Sequence, residues 1–224
     1  MLRVELVVVA FAAAVPGLIF ALRGLGDPTS IDTDDVDVVE LIASLMAALG
    51  PAAITTYLLW RDGRLNVAGF ARRSLGFVFG YGMLGLACAV GALIAIGAVI
   101  AVVTAVFGGE LSGESPDVSF TIGSLAVALG LSLVAGISEE IVYRSYGITR
   151  MEEIGLPRAA MVVPWALWTL QHLYAGILAP VVVGAVGATW VWLYRWKRSI
   201  WPLILAHVFY DIGVFAIAVA VSES

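Results

Sequence analysis

The chain has 224 residues, of which 61% are hydrophobic and 13% are charged, and its formal net charge is −5. Soluble domains carry about 25% charged residues, and a soluble fold of this size could not bury so much apolar surface. The composition therefore excludes an ordinary soluble domain and indicates an integral membrane protein. Long apolar runs in lipid predict helices, because a helix satisfies its own backbone hydrogen bonds.

Seven apolar runs follow one another along the chain, and a bilayer core needs about 20 residues per helix. The predicted spans are residues 4–22, 39–60, 74–106, 120–146, 159–178, 180–195 and 200–221. The first run has no clear small-residue cleavage site, so we interpret it as a helix rather than a signal peptide. We expect residues 1–224 to form one all-α domain, a polytopic transmembrane bundle of about seven helices, with eight as the alternative.

The basic residues indicate the orientation of this bundle, because Lys and Arg are retained on the cytoplasmic side of a membrane. With the N-terminus inside, only Arg23 of the 12 basic residues falls in an outer segment. The reversed orientation would invert this bias. We therefore expect a multi-pass protein of the cell membrane with a cytoplasmic N-terminus.

Ionisable residues are few within the late apolar runs, and they are Glu139, Glu140, Arg144, His172, His207 and Asp211. Each costs roughly 3 kcal/mol to insert into a membrane, so each is a candidate functional residue. For a lone histidine, a structural role in the core would be the better explanation. Six polar residues on late spans make that explanation weaker. At about 1.5 Å per residue, Glu139, His172, His207 and Asp211 lie about 14–21 Å from the inner basic residues. Their similar depth predicts a shared pocket.

Three pairs of polar or aromatic side chains are spaced to lie on one face of a helix, four residues apart. They are Glu140 with Arg144, Trp168 with His172, and His207 with Asp211. The first spacing predicts a buried ion pair in which each charge neutralises the other. The second predicts an indole stacked beside an imidazole, and the third a carboxylate that orients an imidazole ring.

Three motifs carry these residues, and they read Glu139-Glu140-Ile-Val-Tyr-Arg144, Trp168-Thr-Leu-Gln-His172 and His207-Val-Phe-Tyr-Asp211. In this order on late helices they resemble the CPBP family of type II CAAX prenyl proteases and bacteriocin-processing or self-immunity proteins. The family pattern is E-E-x-x-x-R, then an aromatic residue with x-x-x-H, then H-x-x-x-N or D. The resemblance covers residues 120–215.

The resemblance implies a glutamate-dependent intramembrane endopeptidase. Glu139 would be the general base on water, and His172 would help to hold that water. His207 and Asp211 would form the oxyanion site, which requires preorganised hydrogen-bond donors. No cofactor and no metal is implied.

Supporting residues and partners follow from the same resemblance. Glu140 and Arg144 would brace the first motif, and Trp168 stands where Phe is common. The implied substrate is a peptide or a membrane-anchored protein within the lipid bilayer, and no nucleic-acid partner is expected. Whether the substrate is prenylated does not follow from these residues.

Asp211 departs from the Asn found in related eukaryotic proteases, and an ionised carboxylate cannot donate a hydrogen bond. Either His207 alone donates to the oxyanion, or Asp211 carries a proton. Two other functions stay open. Two histidines with carboxylates are a plausible zinc ligand set, although no HExxH motif is present. Intramembrane carboxylates also serve non-catalytic immunity, binding or transport proteins.

Overall fold

The computed structural model describes residues 2–10, 12–13, 38–108 and 122–222. Within these ranges the chain forms helices and no strand, which confirms the all-α class for the described part of the protein. Three predicted regions lie largely outside the described residues. They are the second half of the first span and the two outer segments that follow spans one and three.

The described helices follow the predicted spans in order, except that a short helix, which was not predicted, lies between the spans at 120–146 and 159–178. They are α1 (residues 2–10 and 12–13), α2 (Val38–Arg61), α3 (Leu75–Phe107), α4 (Ile122–Glu139), α5 (Ile148–Glu153), α6 (Ala159–Leu170), α7 (Ala179–Lys197) and α8 (Trp201–Ser222). Two π-helical segments, Asn66–Phe70 and Glu140–Gly147, and one 3-10 segment, Gln171–Ala175, lie between them. The connections between α2 and α3 and between successive helices from α4 to α8 are therefore short.

Two predicted spans are less regular than a hydropathy pattern can indicate. The span at 120–146 leaves α-helical geometry after Glu139 and continues through the π-helical segment into α5. The span at 159–178 leaves it after Leu170, where α6 tightens into the 3-10 segment. Both irregularities fall on predicted site residues, and π-helical turns often occur at functional sites.

Helix α3 has the strongest membrane signature in the described part of the chain. It contains 33 residues and has a mean hydropathy of 2.8 over its most apolar 18-residue window. Only 6% of that window is buried within the protein, so this helix presents apolar side chains outward along most of its length. It is the one described helix that is both long and apolar enough to cross a bilayer, and Trp201–Ile217 in α8 is a shorter apolar stretch.

Helices α7 and α8 lie at the centre of the packing. Helix α3 packs against both, α4 packs against α2 and α8, and α6 packs against α7. A Cβ at Gly136 of α4 would lie 2.7 Å from the Val208 side chain of α8. This close approach requires glycine, and it brings the C-terminal end of α4 against the middle of α8.

An ion cluster joins α1, α2 and α5 at one end of the bundle. Arg150 is almost fully buried and donates to Asp62 at 2.5 Å, to Glu153 at 2.8 Å and to the carbonyl oxygen of Leu58 at 3.2 Å. Glu5 of α1 lies 3.4 Å from the same guanidinium. Arg61 pairs with Glu5 and Arg64 with Glu153, so three basic residues near predicted inner ends of spans meet carboxylates in one region.

The Asp62 carboxyl group makes this cluster sensitive to acid. A hydrogen bond from Arg61, together with Arg150, holds the pKa of Asp62 at about 2, below its ordinary value of 3.8. Because the pKa is lower in the folded state, the stabilisation is complete above about pH 4 and is lost as the pH falls toward 2. We expect the melting temperature in detergent micelles to fall over this interval, and to fall less in Asp62→Asn. Equal slopes for the two proteins would contradict this prediction.

Candidate active site

The two adjacent glutamates of the first motif both face the ring of His207. Glu139 ends α4 and Glu140 begins the π-helical segment. The Oε1 atom of Glu140 lies 2.9 Å from Nδ1 of His207, and Oε2 of Glu139 lies 3.8 Å from Nε2 of the same ring. The junction of α4 with the π-helical segment therefore directs consecutive carboxylates toward opposite nitrogens of one imidazole.

The predicted pair of Glu140 with Arg144 is present and buried. The guanidinium Nη1 lies 3.2 Å from Oε1 of Glu140, and the side chains are 1% and 0% exposed. The guanidinium carbon of Arg144 also lies 4.0 Å from the centre of the Trp168 ring. A desolvated cation over an indole face is stabilised by the ring quadrupole, so Trp168 supports the ion pair.

Trp168 contacts most of the polar residues predicted from the sequence. Its indole N–H donates a hydrogen bond to Oε2 of Glu139. Its ring centre lies 5.0 Å from that of His172 and 6.0 Å from that of His207, with interplanar angles of 68° and 88°. The expected stacking on His172 is therefore an edge contact, and the indole contacts both histidines.

A glycine of α7 makes room for this indole. A Cβ at Gly187 would lie 2.2 Å from Cζ3 and 2.9 Å from Cε3 of Trp168. Trp168 is itself buried, so its ring has little space into which it could move. Gly187 thus determines where the indole lies, and the indole contacts Glu139, Arg144 and both histidines.

The hydrogen bond of His172 determines which of its ring nitrogens is available. Its Nδ1 lies 2.8 Å from the backbone carbonyl oxygen of Trp168, which can only accept a hydrogen bond. Nδ1 therefore carries the proton, and in the neutral ring Nε2 keeps its lone pair. His172 lies in the 3-10 segment rather than in a regular helix, which corrects the geometry assumed from its spacing.

Asp211 lies on the side of His207 opposite to Glu140. Its Oδ2 is 3.7 Å from Nε2 of His207, which is beyond direct hydrogen-bonding distance. The expectation that Asp211 orients the ring is therefore revised, because Glu140 holds the ring through Nδ1. The side chains of Asp211 and Glu139 are 25% and 21% exposed, whereas that of His207 is 5% exposed.

Three further residues complete the cluster and were not singled out in the sequence. Gln171 donates to Oε1 of Glu139 at 3.3 Å, and Tyr143 donates to Oε1 of Gln171 at 2.8 Å. The Trp190 ring lies 4.6 Å from that of His207. Gln171 and Tyr143 fall within the first two motifs, but uncharged polar side chains cost less to bury than ions and give a weaker signal. Trp190 has no signal beyond its residue type.

The carboxylates and imidazoles around His207 are residue types that bind metal ions. Among the described residues, no group of three or more His, Cys, Asp or Glu side chains has a geometry that could hold a metal ion. Glu140, which is nearest to His207, is instead paired with Arg144.

Part of the chain matches a known protein family. Residues 121–213 match the family model described as type II CAAX prenyl endopeptidase Rce1-like. No curated protein and no solved structure matches the chain significantly. The matched segment covers all three motifs and confirms the family resemblance predicted from them. The proteins of this family are membrane-associated proteases of the CAAX type.

Gly187→Ala tests the dependence of the cluster on the position of Trp168. The added methyl overlaps the indole, so we expect the free energy of unfolding to fall by about 1–3 kcal/mol, as for other overpacked cores. Displacing the indole also disturbs Glu139, and we expect any Glu139-dependent peptide cleavage to fall by about 10- to 100-fold. Gly91→Ala is the matched control, because a Cβ at Gly91 meets no atom within 4 Å. Equal effects of the two substitutions on cleavage would contradict the prediction.

Proposed function

We propose that this chain is an intramembrane endopeptidase in which Glu139 activates water and His207 stabilises the oxyanion. The observation that carries the proposal is the opposition of the Glu139 carboxylate and His207 Nε2 across 3.8 Å. This gap lies within the segment that matches the CAAX endopeptidase family. A base and a hydrogen-bond donor this close together can contact the attacking water and the carbonyl oxygen of one peptide bond that lies alongside both of them.

The proposed setting is a polytopic bundle in the cell membrane, with a cytoplasmic N-terminus. The apolar surface of α3 supports this setting. Ion pairs of Arg61 with Glu5, Arg64 with Glu153 and Arg198 with Glu152 join residues near the predicted inner ends of several spans, which also supports it. We propose that residues 1–224 act as one domain and that residues 120–215 carry the catalytic machinery.

The first step is proton transfer from water to Glu139 as the water oxygen attacks the scissile carbonyl carbon. Two neutral donors hold the carboxylate in position for this step. They are the indole N–H of Trp168 and the side-chain amide of Gln171. The unprotonated Nε2 of His172 can accept the second hydrogen of the same water. Holding the nucleophile at two points contributes to the orientation that such a step requires.

The carbonyl oxygen becomes an oxyanion in this step, and His207 is the proposed donor. Glu140 accepts a hydrogen bond from Nδ1, so a second proton on Nε2 makes the ring a cation. The carboxylates of Glu139, Glu140 and Asp211 surround this charge and compensate it. Nε2–H then donates to the oxyanion, and a preorganised donor of this kind contributes about 3–4 kcal/mol in other enzymes.

Collapse of the tetrahedral intermediate breaks the carbon–nitrogen bond. The leaving amine takes the proton that Glu139 received from water, which returns the carboxylate to its starting state. The products are a new carboxyl terminus and a new amino terminus. No cofactor is required for this sequence of steps, because water is the only co-reactant.

The proposed substrate is a peptide segment of a membrane-associated protein, and the family description favours a prenylated C-terminal segment. The partly exposed side chains of Glu139 and Asp211 support access by such a segment from one side of the cluster. Nucleic acid is not a proposed partner. A farnesylated, internally quenched CAAX peptide and its unprenylated counterpart are therefore the first probes.

Glu139→Gln tests the proposed base. The substitution keeps the size of the side chain and removes its ability to take a proton, so we expect at least a 1000-fold loss of cleavage of the farnesylated peptide, within the range found for removed catalytic groups. New protein termini in membranes of expressing cells are compared in parallel, because they reveal substrates other than the probe. Cleavage by Glu139→Gln at the wild-type rate would overturn the mechanism, and absence of wild-type cleavage in both assays would favour a non-catalytic binding role.

Asp211→Asn and Asp211→Ala separate the glutamate mechanism from a zinc mechanism. An Asn amide can itself donate to the oxyanion beside His207, so we expect Asp211→Asn to retain activity within about tenfold. Asp211→Ala leaves neither a donor nor the carboxylate that compensates the His207 cation, so we expect a loss of about 100-fold. A zinc mechanism predicts large losses in both variants, because neither side chain replaces a carboxylate ligand well. Metal content of chelator-washed protein is measured alongside. Loss of activity together with loss of a stoichiometric metal in both variants would overturn the metal-free mechanism.

A further inference from the structure

The carboxylate of Glu139 is held at both of its oxygen atoms. Trp168 donates to Oε2, and Gln171 donates to Oε1 across 3.3 Å, a long distance for a hydrogen bond. Trp168 is confined by Gly187 and by the Arg144 guanidinium. Gln171 lies on the 3-10 segment immediately after α6, and an unbranched amide side chain there needs a second contact to fix its direction.

Tyr143 supplies that second contact. Its hydroxyl group donates to Oε1 of Gln171 at 2.8 Å, and its side chain is buried. A carboxylate can only accept hydrogen bonds, so the amide must direct its NH₂ group toward Glu139 and its oxygen toward Tyr143. The opposite amide orientation would oppose two oxygen atoms at Glu139. The phenol and the carboxylate thus select the same orientation of Gln171.

We infer that Tyr143 and Gln171 are positioning residues for the general base, with Tyr143 acting only through Gln171. This inference rests on the proposed function of Glu139. The three residues form a closed path between two elements, because Glu139 and Tyr143 belong to the α4–π junction and Gln171 belongs to the 3-10 segment. The path joins the segment that carries the base to the segment that carries His172.

Positioning through a hydrogen bond has a kinetic signature that packing alone does not produce. A misdirected carboxylate slows proton transfer and leaves the peptide-binding contacts in place, so kcat falls while KM stays nearly constant. Loss of one neutral hydrogen bond corresponds to about a 3- to 10-fold effect. Gln171 contacts Glu139 directly, and its removal is therefore expected to exceed the effect of removing the Tyr143 hydroxyl group.

The test is a double-mutant cycle with Tyr143→Phe, Gln171→Leu and the combined variant, measured on the farnesylated quenched peptide. We expect kcat to fall by about 3- to 10-fold in Tyr143→Phe and by about 10- to 100-fold in Gln171→Leu, with KM within about twofold. Because Tyr143 acts through Gln171, the combined variant should be no slower than Gln171→Leu. Multiplicative losses, or an unchanged kcat in both single variants, would overturn the inference.

Tyr146→Phe is the matched control for the loss of a tyrosine hydroxyl group. Tyr146 belongs to the same π-helical segment, is buried, and donates at 2.9 Å to Glu5, which is remote from Glu139 in the ion cluster. We expect Tyr146→Phe to lower the melting temperature and leave kcat unchanged. A fall in kcat equal to that of Tyr143→Phe would assign both effects to general destabilisation and overturn the inference.

A second measurement does not require catalysis. Dicyclohexylcarbodiimide, an apolar carboxyl reagent, labels Glu139 in the full chain, and mass spectrometry reads the rate at that residue. A carboxyl group that has lost its hydrogen-bond donor is more open to attack by the reagent. We therefore expect labelling in Tyr143→Phe and Gln171→Leu to be at least about threefold faster than in the wild type or Tyr146→Phe. A threefold change corresponds to the loss of one hydrogen bond. Unchanged labelling would overturn the positioning role. Retained cleavage by Glu139→Gln would instead overturn the proposed function, so the two failures are distinguishable.

Discussion

The buried ion pair of Glu140 with Arg144 constrains the arrangement of the whole site. Two charges without solvent exposure are stable only if each is close to an opposite charge and to further polar or polarisable groups. Arg144 meets this requirement with Glu140 and the face of Trp168, and Glu140 meets it with Arg144 and Nδ1 of His207. The pair therefore fixes the positions of residues from three separate helical elements.

Trp168 links the buried ion pair to the position of Glu139, the proposed base. One face of the indole is occupied by the guanidinium, and its N–H is directed at Glu139. The position of the ring depends in turn on the missing side chain at Gly187. A Phe at position 168 would keep the aromatic contacts and lose the hydrogen bond, so the Trp in this chain gives Glu139 a donor that the commoner residue lacks.

The division of roles between the two glutamates follows from their surroundings. Glu140 is fully buried and its contacts are used in holding Arg144 and His207, whereas Glu139 is partly exposed and is held by two uncharged donors. A carboxylate whose hydrogen bonds come from uncharged donors is better suited to exchanging protons with a bound water. Consecutive residues of one chain segment thus have different surroundings at the change from α-helix to π-helix, and the different roles that we propose for them rest on this difference.

The sequence by itself determined the helical class, the approximate positions of most described helices and the polar residues that form the cluster. These properties depend on composition, on the length of apolar runs and on the cost of placing charge in lipid, all of which are local. The pairing of Glu140 with Arg144 was also predictable, because a spacing of four residues survives into the folded chain. The family match over residues 121–213 agrees with the motifs from which the family was predicted.

Only the tertiary structure decided which groups face one another across the helices. The spacing of His207 and Asp211 predicted that Asp211 would orient the ring, but Glu140, distant in sequence, occupies Nδ1 at 2.9 Å. The contacts of Gln171 with Tyr143 and Glu139 likewise join residues 28 and 32 positions apart. Hydropathy and helical periodicity describe a regular helix, whereas these contacts depend on a π-helical segment, a 3-10 segment and the close approach of helices at glycine, which are set by packing between elements.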